Sequence, residues 1–310
     1  MDSMVTDLLV VADQIFILVL LIAVGYAAAS MEVMDTRATR GLSGLLFNVT
    51  IPALIIAAMQ VPITPARIAD TEMLLLATGA FFALSFIVAR AASKAMSIAP
   101  SEKGVYEFAI VFGSVSFMGF PVAQVLLGDE SLFYVALFNI VFNILLFSAG
   151  IAMLTGEREG GFDPKLLINP GIAASVAGFV LFLGSVGIPS PFIDAIDLLG
   201  GMTTPLAMII VGAMLATLPA REMVGDWRIW AASAVILIVI PVIYCCLFSP
   251  IFSDPLVDGV MIMMAAMPAA AGTAVFAEQY GADARLASQI VFVSTIGSLV
   301  TIPLIAAVLL

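Results

Sequence analysis

The sequence predicts an all-α membrane protein with ten transmembrane helices in two inverted five-helix repeats, in which broken helices 4 and 9 cross at the bilayer midplane. The first observation is composition: 63% of the 310 residues are hydrophobic, 11% are charged, and the mean hydropathy is +1.19. A soluble domain of this size does not carry so much apolar sequence, so lipid is the expected solvent. The other two observations are regularly spaced basic loops and a central proline in each half.

Apolar segments of roughly spanning length, about 20 residues each, follow one another along the whole chain. The ten segments are 8–29, 42–60, 73–92, 103–127, 131–153, 166–186, 196–218, 229–249, 256–279 and 286–309. Segments 4 and 9 have proline and small residues at their centres, around Pro121 and Pro268. Segments 2 and 7 each carry a proline of their own, Pro52 and Pro205.

Basic residues predict the orientation of these segments. Ten of the 11 Lys and Arg residues lie in every second loop, and Arg67 alone lies on the other side. Because Lys and Arg collect in cytoplasmic loops, we expect both termini outside the cytoplasm. The cytoplasmic loops then hold Arg37 and Arg40; Arg90, Lys94 and Lys103; Arg158 and Lys165; Arg221 and Arg228; and Arg285.

The two halves of the chain align without gaps at an offset of 153 residues. The matched positions include glycines and prolines, which mark backbone geometry rather than apolar composition alone. Each half has five segments, an odd number, so the second copy must enter the membrane inverted. We therefore expect a first repeat at 1–154, a cytoplasmic linker at 155–165 and a second repeat at 166–310. The matched pairs are Gly25 and Gly178, Thr50 and Thr203, Pro52 and Pro205, Gly119 and Gly272, and Gly128 and Gly281.

The centres of segments 4 and 9 predict a binding site. A proline in mid-membrane removes a backbone donor and breaks or kinks its helix, and paired breaks in two halves indicate the binding site of a secondary transporter. Each break creates a half-helix N-terminus with a partial positive charge, so two that converge favour an anion. The alternative is that these small residues serve helix packing only. The expected substrate-binding residues here are Ser114, Ser116, Gly119, Pro121, Pro268, Gly272 and Thr273.

Polar and ionisable residues within the segments supply further candidates. Asn48 and Asn139 are predicted contacts of substrate or ion, with structural hydrogen bonds between helices as the alternative. Glu278 is the candidate for proton or sodium coupling, because burying a carboxylate in a membrane is costly; an ion pair with Arg285 or a solvated helix end is the alternative. The chain has no histidine, so any metal or acid–base chemistry would have to rest on carboxylates alone. We expect no metal site and no cofactor, apart from coupling to Na⁺ or H⁺.

Short motifs are spread in order along the chain. They are SFMGFPVA at 116–123, GDE at 128–130, NP at 169–170, PLA at 205–207, MPA at 267–269, AEQYG at 277–281, ST at 294–295 and TIP at 301–303. Together they resemble the auxin efflux carrier family, which includes the plant PIN-FORMED proteins and bacterial carriers. The resemblance covers nearly the whole chain, which departs from the family at Ser114, where many members carry Asn.

The resemblance implies an architecture related to the bile acid–sodium symporters. Helices 3–5 and 8–10 are then a transport domain that slides, in an elevator motion, against a scaffold of helices 1, 2, 6 and 7. The scaffold helices would form a homodimer, and the chain would lie in the inner membrane of a bacterium.

The expected function is secondary transport of small organic anions. Family resemblance extends the candidate substrates to malonate, malate and auxin-like aromatic acids, and leaves direction and coupling to Na⁺ or H⁺ open. An ion channel or membrane sensor built on the same fold is the alternative. Enzyme chemistry is disfavoured because histidine is absent and no carboxylate pair meets in the membrane. The expected partners are the anion and the lipid bilayer, without nucleic acid.

Overall fold

A computed structural model describes residues 2–156, 170–217 and 225–309. Residues 157–165 of the predicted linker, the first four residues of segment 6 and residue 218 of segment 7 lie outside this described part. The helices are α1 (Asp2–Ser30), α2 (Thr36–Ala58), α3 (Pro65–Ala95), α4 (Lys103–Val111), α5 (Val115–Leu127), α6 (Ser131–Thr155), α7 (Pro170–Leu183), α8 (Phe192–Gly201), α9 (Thr203–Thr217), α10 (Trp227–Ile251), α11 (Pro255–Ala265), α12 (Thr273–Gln279) and α13 (Ala284–Leu309).

The all-α prediction is confirmed, since the described residues form helices and connections and only one isolated antiparallel pairing. Six helical stretches are long and apolar enough to cross a membrane: Thr36–Ala58, Pro65–Ala95, Ser131–Thr155, Phe192–Ala216, Trp227–Ile251 and Ala284–Val308. Shorter apolar helices occupy the other four predicted segments, at Ile15–Ser30, Val115–Leu127, Pro170–Leu183 and Pro255–Ala265. The chain is therefore a helical protein with several membrane-spanning segments.

An aspartate is the N-cap residue of three helices, α2, α10 and α11. The Asp35 carboxylate accepts the N–H of Ala38 at 2.6 Å at the start of α2. Asp226 accepts the N–H of Arg228 at 3.2 Å before α10, and Asp254 accepts that of Leu256 at 2.7 Å before α11. Each carboxylate satisfies a donor that the helix itself cannot pair. These caps fix the residues at which α2, α10 and α11 begin.

Three prolines in helices follow short π-helical stretches and leave their helices continuous. Leu46–Thr50 precedes Pro52, Val115–Gly119 precedes Pro121, and Val235–Val239 precedes Pro241. Immediately before two of these prolines, the N–H of Ile51 bonds the Leu46 carbonyl and that of Ile240 bonds the Val235 carbonyl, five residues back. This wider turn accommodates the missing proline donor and its bulky ring.

Segment 4 is broken, as predicted, but Pro121 is not the residue at which it breaks. Pro121 is buried in the first turn of the regular helix Phe120–Leu127, and the interruption lies upstream, at 112–114. The π-helical turn at Val115–Gly119 absorbs the effect of the proline ring. By contrast, Pro268 does lie within the non-helical residues of segment 9.

The chain divides into two compact units, and each of them draws residues from both halves. Unit 1 comprises the described parts of 1–74, 116–140 and 168–218. Unit 2 comprises those of 75–115, 141–167 and 219–310. The expected division into scaffold and transport helices stays a prediction.

Unit 1 contains a close pair of helices, α1 and α9. A Cβ atom added at Gly25 would lie 2.0 Å from the backbone oxygen of Ile209, and one at Gly212 would lie 1.9 Å from that of Ile22. Both distances are far below van der Waals contact, so only glycine permits this approach. Small residues of this kind bring helix backbones together in membranes.

Unit 2 has an aromatic core centred on Phe112. Its ring lies 5.0 Å from that of Phe108 and 5.8 Å from that of Phe142, measured between centroids. Gly150 makes room for these rings, because an added Cβ there would lie 2.9 Å from the Phe112 ring and 3.0 Å from the Phe108 ring. Phe112 is also the first residue of the interruption in segment 4, so this core packs directly on the candidate site.

Candidate site at the paired helix breaks

Two interruptions define the candidate site, and both belong to unit 2. We call residues Phe112–Ser114, between α4 and α5, the first break. We call residues Ala266–Gly272, between α11 and α12, the second break. These are the non-helical residues within predicted segments 4 and 9.

The two breaks pair with each other through one isolated antiparallel bridge. The N–H of Ser114 donates to the Pro268 carbonyl at 2.7 Å, and the N–H of Ala270 donates to the Phe112 carbonyl at 3.0 Å. Gly113 therefore lies opposite Ala269 in the pairing. Backbone groups that leave a helix must find other partners when they are buried, and each break supplies partners for the other.

A third element holds the second break. The N–H of Ala269 donates to the Ser294 hydroxyl of α13 at 3.2 Å, and that hydroxyl donates to the Val291 carbonyl at 3.1 Å. A tight turn closes the break before α12, because the N–H of Thr273 donates to the Ala270 carbonyl at 2.9 Å. In the sequence, Ser294 stands out only as part of the ST motif at 294–295. Its contact with Ala269, 25 residues earlier in the chain, could not be predicted from the local sequence.

These bonds correct part of the predicted chemistry. The breaks were expected to offer free backbone N–H groups to an anion, but those of Ser114, Ala269, Ala270 and Thr273 already have protein acceptors. Their role is to fix the shape of the breaks. Donors for a ligand must therefore come from other groups at the breaks.

The Thr273 hydroxyl is such a group. Thr273 is 0% exposed, and its Oγ1 is buried without a hydrogen-bond partner. Leaving a buried hydroxyl unpaired costs about 1–3 kcal/mol, so it is a strong candidate for a ligand contact. Ser114, which is 5% exposed, lies in the first break, and buried Pro268 and half-buried Gly272 lie in the second.

No full charge lies in the chain segments around the breaks. Residues 108–128 and 259–277 contain no Asp, Glu, Lys or Arg. Glu107, one turn before the first break, has a side chain only 3% exposed and is already paired with Arg90 at 3.3 Å and Lys103 at 3.7 Å. Electrostatic interactions at the breaks therefore depend on hydroxyls and peptide dipoles.

The other predicted site residues belong to unit 1. The Ser116 hydroxyl donates to Asn139 Oδ1 at 2.8 Å, and Asn139 Nδ2 donates to the Val135 carbonyl at 3.0 Å. The structure thus brings these two candidates together. Asn48 is exposed and its Nδ2 donates to the Gly44 carbonyl of its own helix at 2.7 Å. Gly119 is buried within α5, near Pro121.

Glu278, the coupling candidate, lies exposed near the end of α12. A coupling role for it stays a prediction. Within the described residues, no group of three or more Asp, Glu, Cys or His side chains is arranged to hold a metal ion.

Unit 1 also contains a cavity of about 500 Å³ that the sequence did not predict. Its lining combines acidic side chains and an amide with glycine and apolar residues. Gln124 is one of the lining residues. Its Nε2 donates to Asp129 at 2.9 Å, and its Oε1 accepts from the Thr204 hydroxyl at 2.6 Å. The lining includes Leu54, Ala57, Ala58, Val61, Asp129, Glu130 and Asp197.

Long apolar helices, with two interruptions that complete each other's hydrogen bonds, are typical of membrane proteins that move solutes. A model of the protein family described as membrane transport protein matches residues 10–164 and 162–306, and the chain belongs to that family. It is the auxin efflux carrier family that the motifs indicated. The family and the relatives below are transporters rather than enzymes.

Three relatives align with more than nine-tenths of the chain. An "Uncharacterized transporter" of Methanothermobacter thermautotrophicus is 24% identical over 96% of this chain and 98% of its own length. A second "Uncharacterized transporter", from Methanocaldococcus jannaschii, is 25% identical over 96% of this chain and 98% of its own length. A "Putative malonate transporter" of Rhizobium meliloti is 24% identical over 91% of this chain and 90% of its own length.

Proposed function

We propose that the protein is a secondary transporter of small organic carboxylates that bind at the paired breaks. The observation that carries this proposal is the unpartnered, fully buried Thr273 hydroxyl at the end of a break whose backbone is fixed by other bonds. A buried hydroxyl without a partner destabilises the protein, and a ligand that accepts its hydrogen bond removes that cost.

An anionic substrate fits the electrostatics of the breaks. Hydroxyls and oriented peptides bind a carboxylate without a cationic side chain, and no charged residue occupies 108–128 or 259–277. Malonate is the first substrate to test, because one relative carries that name. Malate and auxin-like aromatic acids are the next candidates.

In this proposal Ser114 and Thr273 donate hydrogen bonds to the substrate, while Pro268 and Gly272 shape the second break. Ser116, Asn139, Asn48, Gly119 and Pro121 remain candidates from the sequence, and they belong to unit 1. Glu278 is the proposed coupling residue if transport depends on H⁺ or Na⁺.

The proposed architecture has ten membrane helices in two inverted repeats, with both termini outside the cytoplasm, as the distribution of Lys and Arg favours. Access alternates when helices of segments 3–5 and 8–10 move as a body relative to segments 1, 2, 6 and 7. The scaffold segments form a homodimer, and the protein resides in the cell membrane.

Counterflow in liposomes tests the function. Purified protein is reconstituted in vesicles loaded with unlabelled malonate, and labelled malonate is added outside. A carrier accumulates label transiently above its equilibrium level, because exchange is faster than loss of the internal pool. Saturable overshoot with malonate or another small carboxylate supports the proposal. Equilibration without overshoot supports the channel alternative. No entry of any carboxylate contradicts the proposed transport and leaves the sensor alternative.

A further inference from the structure

The second break is held from two sides by unrelated parts of unit 2. On one side, the Pro268 carbonyl and the Ala270 N–H are hydrogen-bonded to the first break. On the other side, the N–H of Ala269 reaches Ser294 on α13. In an antiparallel pairing of this register, the N–H of the central residue points away from the partner strand. Ala269 therefore needs an acceptor that the first break cannot supply.

Ser294 is well suited to be that acceptor. It is 0% exposed, and its own hydrogen is given to the Val291 carbonyl at 3.1 Å. This bond orients the hydroxyl, so that a lone pair is directed at Ala269. Water has no access to replace it, and removal of the hydroxyl leaves the buried Ala269 N–H without an acceptor.

We propose that Ser294 is a positioning residue for substrate binding, which fixes Ala269 in the second break and makes α13 a third element of the site. This inference rests on the proposed function. The fixed residue lies directly before the turn from Ala270 to Thr273. Orientation of the Ala269 peptide thus sets where that turn begins, and with it the position of the Thr273 hydroxyl.

Ser298 provides a matched control on the same helix. It is also 0% exposed, and its hydroxyl donates to a carbonyl three residues back, that of Thr295, at 2.7 Å. It lies one helical turn after Ser294, on the same face, and within the described part of the chain its hydroxyl bonds only the Thr295 carbonyl. Replacement of either serine by alanine removes a similar volume and a similar bond within the helix. Only Ser294→Ala also removes the acceptor of the Ala269 N–H in the second break.

The experiment measures malonate counterflow against malonate concentration for wild type, Ser294→Ala and Ser298→Ala in liposomes. We expect the half-saturation concentration to rise about tenfold in Ser294→Ala, because one orienting hydrogen bond is lost, and less than about twofold in Ser298→Ala. A merely structural role would lower the amount of active protein and so the maximal rate, with the half-saturation concentration unchanged.

Ser294→Cys covers the case in which the alanine variant does not fold. Its size is close to that of serine and its sulfur is a weak acceptor, so we expect an intermediate rise of about threefold. Hydrogen–deuterium exchange of peptides covering 266–272 gives a second readout, in which Ser294→Ala speeds exchange and Ser298→Ala does not.

The outcomes separate this inference from the function on which it rests. If wild type exchanges carboxylates while both Ser294 variants keep its half-saturation concentration, Ser294 is not a positioning residue and the function stands. If wild type exchanges no carboxylate, the proposed function fails and the inference fails with it. Equal effects of Ser294→Ala and Ser298→Ala overturn the inference as well, since they indicate general packing.

Discussion

The breaks of unit 2 and the proline-containing helices α2 and α10 show two outcomes of interrupting a membrane helix. In α2 and α10, Pro52 and Pro241 remove a donor, and a π-helical turn restores continuity within the same helix. At the paired breaks the chain leaves the helix altogether, and hydrogen bonds with another segment replace those lost. The first break contains no proline.

The difference teaches that proline does not by itself determine where a membrane helix breaks. A helix stays continuous where a local change can satisfy its own backbone, as it does around Pro52 and Pro241. It breaks where a second interrupted segment lies near enough to pair with it. The broken backbone is then fixed by the hydrogen bonds that Ser114, Ala269, Ala270 and Thr273 donate. A rigid irregular backbone can hold a hydroxyl such as that of Thr273 in place for a ligand.

The largest expected effect comes from proline placed in the pairing. Ala270→Pro removes the N–H that bonds the buried Phe112 carbonyl, and we expect a loss of about 2–4 kcal/mol in stability together with loss of exchange. Ala271→Pro is the matched control. It takes the second position of the turn from Ala270 to Thr273, where proline is favoured, and it removes none of the four N–H donors of Ser114, Ala269, Ala270 and Thr273 that fix the breaks.

Thermal unfolding of the two purified variants in detergent gives the comparison. Ala270→Pro should unfold well below wild type, and Ala271→Pro close to it. If the two variants unfold at the same temperature, the pairing does not stabilise unit 2.

Loss of the Thr273 hydroxyl should separate transport from stability. Thr273→Val keeps the shape of the side chain and removes an unpartnered polar group, so we expect stability to be unchanged or higher by about 1 kcal/mol. Malonate exchange should fall about tenfold, as expected for one hydrogen bond to a charged ligand.

Thr50→Val is the control for that variant. Thr50 is also fully buried, but its hydroxyl bonds the Leu46 carbonyl at 3.4 Å. Its replacement should leave exchange near the wild-type rate. Unchanged exchange in Thr273→Val would remove Thr273 from the site.

Alanine at the two central prolines should have unequal effects. Pro268→Ala adds a backbone N–H and conformational freedom inside the second break, and we expect exchange to fall about threefold. Pro121 lies in a continuous helix, so the stability of Pro121→Ala should stay within about 1 kcal/mol of wild type. Its malonate exchange rate should change less than that of Pro268→Ala. Equal initial rates of counterflow in the two variants would contradict the distinction between breaks and proline-containing helices.

The smallest effect is expected at Glu278, which is exposed. Glu278→Gln should leave malonate exchange at constant pH within about twofold of wild type, because a surface charge contributes little to a buried site. Uptake driven by an imposed pH gradient checks the coupling role separately. Loss of gradient-driven uptake with exchange spared would support coupling through Glu278, and unaltered uptake would exclude it.

Hydropathy and composition were sufficient to predict the fold class. In the described residues, six of the predicted segments contain helices long and apolar enough to span a membrane, and the other four contain shorter apolar helices. Burial in lipid leaves the backbone few alternatives to helix. The location of the first break was not predictable from Pro121, whose ring is accommodated by the turn before it. Whether a helix breaks depends on a partner far along the chain, and local sequence does not contain that information.

The candidate site was predicted in part for the same reason. Small and hydroxyl residues drew attention to Ser114 and Thr273, which lie in the first break and directly after the second. The pattern did not reveal that most backbone donors there are already used, nor that Ser294 is one of their acceptors. Ser116 and Asn139 were predicted separately, and the structure joins them by a hydrogen bond at 2.8 Å.

Hydrogen–deuterium exchange with and without malonate is the most direct test of substrate binding at the paired breaks. We predict slower exchange in peptides that cover 112–116 and 266–273, with little change elsewhere, and loss of that protection in Thr273→Val. Protection confined to the unit 1 cavity beside Gln124, or no protection at saturating malonate, would contradict the account.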